Sequence, residues 1–168
     1  MIFGHYMKKD YPLCTAYLQT ELPRMVFSGK VFEAFQKHGE MTEEEAKKAL
    51  TLGEPPTLRP AFLEDAWGKY YGQGTPGLIN DLFLSSTMLA WYEFSEANRN
   101  DVLMRQFLVI TAMHEMVHWG DEKDGVDQAP EEGTAFEIEA FGKALPHYAT
   151  WKQNSDIAFE RRFPRAVK

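Results

Sequence analysis

The sequence has little cysteine, little positive charge and no long apolar run. The single cysteine, Cys14, excludes an internal disulfide and a cysteine-rich zinc knuckle. A lone cysteine is most simply a small buried hydrophobe. Eighteen Lys and Arg stand against 25 Asp and Glu, a formal charge of -7, so the chain repels phosphate and a nucleic-acid partner is not expected. No stretch reaches the roughly 18 apolar residues that would span a membrane. The N-terminus MIFGHYMKKDYP has no continuous apolar core ahead of a small-residue cleavage site, so a signal peptide is not expected here. The expectation is a protein made in the cytoplasm. Any action outside the producing cell then depends on something other than this sequence, or on a longer chain of which it is a piece.

What is present suits one folded domain spanning residues 1–168. Hydrophobic residues make up 44% and aromatic residues 14%, enough for a sizeable core. The first third has helical signals. Pro12 stands in the first turn of DYPLCTAYLQTEL, with Asp10 as its cap. Gly39 closes GKVFEAFQKHG, and Thr42 with Glu45 forms a capping box. The middle, GEPPTLRPAFLED and YYGQGTPGLIND, is rich in Gly and Pro and predicts loops or short extended pieces, with a strand over 78–83. SSTMLAWYEFSEAN predicts a helix, and the spacing of Leu103, Phe107, Ile110, His114 and Val117 predicts another that ends at Gly120. The loop 121–130 leads to an amphipathic EEGTAFEIEAFGKAL. The fold class expected is α+β, mostly helical, with a small irregular sheet.

The stretch MHEMVHWGDEKDG carries the chemistry. His114 and His118 are four apart, so on a helix both face one way and both ring nitrogens can reach one zinc ion. Glu115 lies about 100° round the helix. It is therefore no ligand, but it is placed to hold a metal-bound water and take its proton as general base. The helix is strongly apolar before this point, and polar groups in a buried helix need a purpose. A catalytic zinc wants a third protein ligand. Asp121, Asp124 and Asp127 fit a solvated turn better, since their spacing is not that of a calcium loop. Among the glutamates, Glu132 is the first choice and Glu137 the second, on a helix starting near Pro130 whose first turn faces the metal. Gly133 and Ala135 would let that helix come close. Glu131 and Glu139 are expected to face solvent.

HEMVHWGDEKDG followed by EEGTAFEIEAFGK resembles the zincin-like metallopeptidase toxin domains of bacterial polymorphic toxins and type VI secretion effectors. YPLCTAYLQTELP and TPGLINDLFLSSTMLAWYE extend the likeness over most of the chain. The resemblance implies a gluzincin: His114 and His118 as zinc ligands, Glu115 as general base, and a downstream Glu as third ligand, for which EGTAF supports Glu132. It implies a zincin-like fold with an active-site helix and a second, ligand-bearing helix. It further implies an antibacterial role in interbacterial competition, delivery by a specialised secretion system into a target cell, its periplasm included, and a cognate immunity protein.

The reading is a zinc peptidase acting on protein or peptide. Tyr148 and His147 are candidates for stabilising the oxyanion, and residues 67–78 are a candidate cleft wall. The alternatives are a zinc amidase cutting cell-wall peptides and a zinc-stabilised binding module without turnover. The second would have no need of Glu115.

Overall fold

A computed structural model describes residues 1–72, 74, 75, 77–123 and 131–145. Among these, eight α-helices accompany a four-stranded sheet, an α+β arrangement that is mostly helical. The strands are β1 (Ile2–Phe3), β2 (Thr57–Ala61), β3 (Gly68–Tyr70) and β4 (Asp81–Ser85), in the order β1-β2-β4-β3. β1 and β4 run parallel to β2, while β3 runs antiparallel to β4 and forms one edge. The Gly- and Pro-rich middle thus supplies three of the four strands, and the strand expected over 78–83 begins three residues later, at Asp81.

The helices of the first half follow their signals. α1 (His5–Asp10) stops before Pro12, which occupies the first turn of α2 (Pro12–Arg24). Asp10 therefore ends one helix rather than capping the next. The N-terminal amides of α2 are met instead by Glu93, whose carboxylate accepts from the Leu13 and Cys14 N–H groups at 3.1–3.2 Å. α3 (Gly29–His38) ends at Gly39, and α4 (Glu43–Ala49) opens with the Thr42–Glu45 capping box complete in both directions. Cys14 is buried, and burial pushes its thiol pKa above the ordinary range.

The second half is organised by one helix. α5 (Ser86–Phe94) and α6 (Glu96–Asn100) divide at Ser95, whose side chain caps α6 by accepting from the Asn98 N–H. Asp101 then caps α7 (Val102–Asp121) by accepting from the Leu103 N–H at 2.8 Å. From Phe107 to Asp121, α7 is buried at all but two positions, and those two are His114 and His118. It packs against α2, α3, β3, β4 and α8 (Glu132–Phe141). Its neighbours leave Met113, Met116 and Val117 no exposure. Among the described residues, no helix is long and apolar enough to cross a membrane.

Gly120 does not terminate α7. The helix runs on to Asp121, which is buried at the helix end rather than standing in a solvated loop. The reason is a helix crossing. A Cβ on Gly120 would lie 2.5 Å from the Gly39 carbonyl oxygen and 3.0 Å from the Met41 side chain. Gly120 is there to let the end of α3 touch α7, which is a packing requirement and not a turn.

Gly120→Ala is therefore expected to destabilise the fold by about 1–3 kcal/mol through overpacking against backbone. Gly29→Ala, where an added Cβ meets nothing within 4 Å, should be close to neutral. Chemical denaturation of the two variants beside the parent tests this, and equal midpoints for all three would refute the crossing as a tight contact.

Candidate active site

α7 and α8 bring the chemistry together. His114 and His118 stand one turn apart on the single partly open stripe of α7, with ring centroids 4.9 Å apart and Nε2 atoms 3.1 Å apart. Glu131 is the N-cap of α8. Its Oε2 accepts from the Thr134 N–H at 2.6 Å, and its Oε1 lies 2.6 Å from His118 Nε2 and 3.3 Å from His114 Nε2. One ligand atom from each of His114, His118 and Glu131 lies within 4.8 Å of the others.

The other two glutamates meet the far sides of the rings. Glu137 Oε1 is 2.7 Å from His114 Nδ1, and Glu132 Oε2 is 3.6 Å from His118 Nδ1. Both carboxylates are buried. Each histidine thus turns Nε2 toward Glu131 and Nδ1 toward a buried acid; at His114 this contact is a hydrogen bond, the arrangement in which an outer carboxylate fixes the tautomer and orientation of a ring. Glu139, expected to face solvent, is partly exposed and pairs with Lys37 and His38 on α3.

Glu131 keeps 49% of its side chain exposed, as expected, and Glu132, the expected third ligand, is buried beside His118 Nδ1. The carboxylate that reaches both Nε2 atoms is that of Glu131. The difference traces to where α8 starts. The helical residues begin at Glu132, so Glu131 has extended backbone (φ -51°, ψ 118°) and its side chain folds back over the helix end. Each residue's shift in a helix start turns the side chains by about 100°.

The charges are tightly coupled. Burial opposes the protonated form of His114, but hydrogen bonds with Glu131 and Glu137 outweigh it and raise its pKa to about 10. Burial alone would raise Glu131, yet the contacts with His114, His118 and Thr134 hold its carboxyl well below the usual range. Three acids around two imidazoles are a surplus of negative charge that a divalent cation would neutralise. The donor set, two imidazole nitrogens and a carboxylate oxygen, fits a catalytic metal with room for a further ligand.

Glu115 stands apart from this set. It is 5% exposed, and burial is the chief cause raising its pKa. The Tyr70 backbone N–H on β3 donates to its carboxylate. Gly68 on the same strand lies directly over it: a Cβ there would be 2.3 Å from Glu115 Oε1. Gly133 does the same for the ligand helix, since a Cβ on it would fall 2.4 Å from His114 Nε2. Two glycines therefore set the approach of both walls to the two key side chains.

A cleft of about 350 Å³ opens over these groups, lined by Asp65, Trp67, Gly68, Thr111, Glu115 and Thr134 among others. Trp67 and Gly68 belong to the segment 67–78 expected as a wall. Thr111, one turn before His114, was not singled out in the sequence. Its buried hydroxyl has no hydrogen-bond partner among the described residues, and no spacing rule would have marked it. Asp124, Asp127, His147 and Tyr148 lie outside the described residues.

Two partly exposed imidazoles and an exposed carboxylate converging on one point, beside a buried glutamate, form a group that could hold a metal ion, the donor set of a metal-dependent hydrolase. A family profile described as metallopeptidase toxin 3 matches residues 7–142, a span containing both helices of the site. The chain belongs to that family and is a metallopeptidase. No curated protein and no solved structure matches it.

Gly68→Ala is expected to push the Glu115 carboxylate aside. The obstructed atoms are Oε1, Cγ and Cδ of one buried side chain, so folding stability should fall as well. Turnover should fall on the order of 100-fold, the usual effect of misplacing a reacting group by about 1 Å. Thermal melting and peptide hydrolysis, measured on one preparation, separate the two effects. Unchanged hydrolysis would remove Glu115 from the chemistry.

Proposed function

We propose that the chain is a zinc-dependent peptidase of the zincin type and acts as an antibacterial toxin. The observation that carries this reading is the convergence of His114 Nε2, His118 Nε2 and Glu131 Oε1 beside buried Glu115. In this proposal His114, His118 and Glu131 hold the metal, in place of the His114, His118 and Glu132 set expected from sequence. Two nitrogens and one carboxylate oxygen suit zinc better than the all-oxygen metals.

Zinc held there would polarise the scissile carbonyl and acidify water. The chain's own residues do the rest. Glu137 accepts from His114 Nδ1 and keeps Nε2 directed at the site. Glu132 stands 3.6 Å from His118 Nδ1, beyond hydrogen-bond range, and acts on that ring through its charge. Glu115 takes a proton from the attacking water and returns it to the leaving amine. Its burial strengthens it as a proton acceptor, and the Tyr70 N–H keeps its carboxylate directed. Gly68 and Trp67 bring one wall of the cleft down to the reacting bond.

The substrate is a polypeptide. The toxin family supports action in a target cell, and we include in the proposal a specialised secretion route and a cognate immunity protein in the producer.

Purified protein should hold about one zinc per chain. His114→Ala, His118→Ala and Glu131→Ala should each lose most of it. Glu137→Ala should weaken binding by about 10–100-fold, the usual effect of removing an orienting partner, and Glu132→Ala should do so less. Metal analysis after dialysis decides among them. Zinc lost from Glu132→Ala but kept by Glu131→Ala would return the ligand role to Glu132.

Glu115→Gln should keep both fold and zinc while losing hydrolysis and toxicity. A Glu115→Gln protein as active as its parent would sink the peptidase reading.

A further inference from the structure

A second hollow adjoins the cleft, and the two share Glu131 and Thr134 as lining residues. Its volume is about 460 Å³, and the rest of its lining is His38, Ala135, Ile138 and Glu139. The surface inside is mostly apolar, with Ala135 and Ile138 on one face of α8 at i and i+3. Ile138 is 53% exposed, a large apolar side chain held open beside a charged site. Elsewhere on α8, Phe136 and Ala140 are buried in the core. The exposure of Ile138 is thus not needed for packing.

The hollow is bounded by two joined helices. Glu139 Oε2 lies 2.7 Å from both Lys37 Nζ and His38 Nε2, which ties α8 to the end of α3. The two helices also pack against each other.

We propose that this hollow is a specificity subsite of the peptidase, receiving a large aliphatic or aromatic side chain of the substrate polypeptide. The inference rests on the peptidase reading above. Continuity with the cleft selects the substrate chain itself as occupant: a polypeptide lying over Glu115 and continuing past Glu131 enters the hollow directly. Neither His114 nor Glu115 is among its lining residues. The side chain it receives therefore belongs to a residue removed from the scissile bond rather than adjoining it. The apolar floor favours Leu, Ile, Met or Phe over polar residues through burial of apolar surface.

The test is cleavage of a diverse peptide mixture by the zinc-loaded protein, with cut sites read by mass spectrometry. The parent should show enrichment of large apolar residues at one position removed from the cut. Ile138→Asn should lower kcat/KM for a peptide bearing Leu at that position by about tenfold or more, the scale of an altered hydrophobic pocket. It should leave a matched peptide bearing Ser there unaffected, and leave the melting temperature unchanged. Ile138→Leu should restore the preference. The same Leu-over-Ser preference should appear as binding to Glu115→Gln protein and vanish when Ile138→Asn is added. A flat profile at every such position, or an Ile138→Asn profile superimposable on the parent's, overturns the subsite while leaving the peptidase standing. A zinc-loaded parent that cuts no peptide overturns the peptidase reading and the subsite with it.

Discussion

The site depends on how closely α8 lies against α7. The contact is set at Gly133, where any side chain would occupy the volume of the His114 ring. Because α8 can come that close, its first turn delivers Glu131 to both Nε2 atoms. Its second delivers Glu137 to His114 Nδ1. Phe136, between them, is fully buried and meets Phe35 of α3 at a ring-centroid distance of 6.2 Å. One helix therefore anchors itself in the core by its apolar side and supplies acids to the site by the other. Three acidic positions in ten residues, with a fourth at the N-cap, do not disrupt this helix, because each has a cationic or imidazole partner or a capping role.

A buried helix that carries ionisable side chains has an electrostatic difficulty. α7 carries His114, Glu115 and His118 within an apolar stretch, and burying such groups without partners costs several kcal/mol. The structure meets this from outside the helix. Each imidazole gains a carboxylate at the nitrogen turned away from the site, and Glu115 gains a backbone N–H from the edge strand β3. The edge strand thus does something a side chain would do less firmly. A backbone donor has no rotamer to lose, and Gly68 beside it presents no Cβ to the Glu115 side chain.

Local signals in the sequence carried the helices well where they were local in physical origin. The Thr42–Glu45 capping box, Pro12 in a first turn and Gly39 at a helix end depend on neighbouring residues alone. The spacing of His114, Glu115 and His118 belongs to the same class, since one helix fixes their directions. What was not legible depends on residues far apart in the chain. Gly120 has the sequence signature of a stop, but its partner is the Gly39 carbonyl, and no pattern within α7 shows that. The cap of α2 comes from Glu93, about 80 positions away. Glu131 and Glu132 differ by one residue, and which of them reaches both Nε2 atoms depends on how α8 meets α7.

The same carboxylate, Glu131, both caps α8 and faces the two imidazoles, and this double use has a consequence for rigidity. Its Oε2 is held by the Thr134 N–H, so the Oε1 facing the histidines is aimed by the helix end itself. A carboxylate on a flexible loop would lose side-chain freedom on being aimed at two imidazoles. Here that freedom is already spent in ending the helix. The positive end of the helix dipole also favours the charged carboxylate at this position. Helix capping and the aim of Glu131 at His114 and His118 are thus one interaction. The same residue, with Thr134, lines both the cleft over Glu115 and the apolar hollow at Ile138.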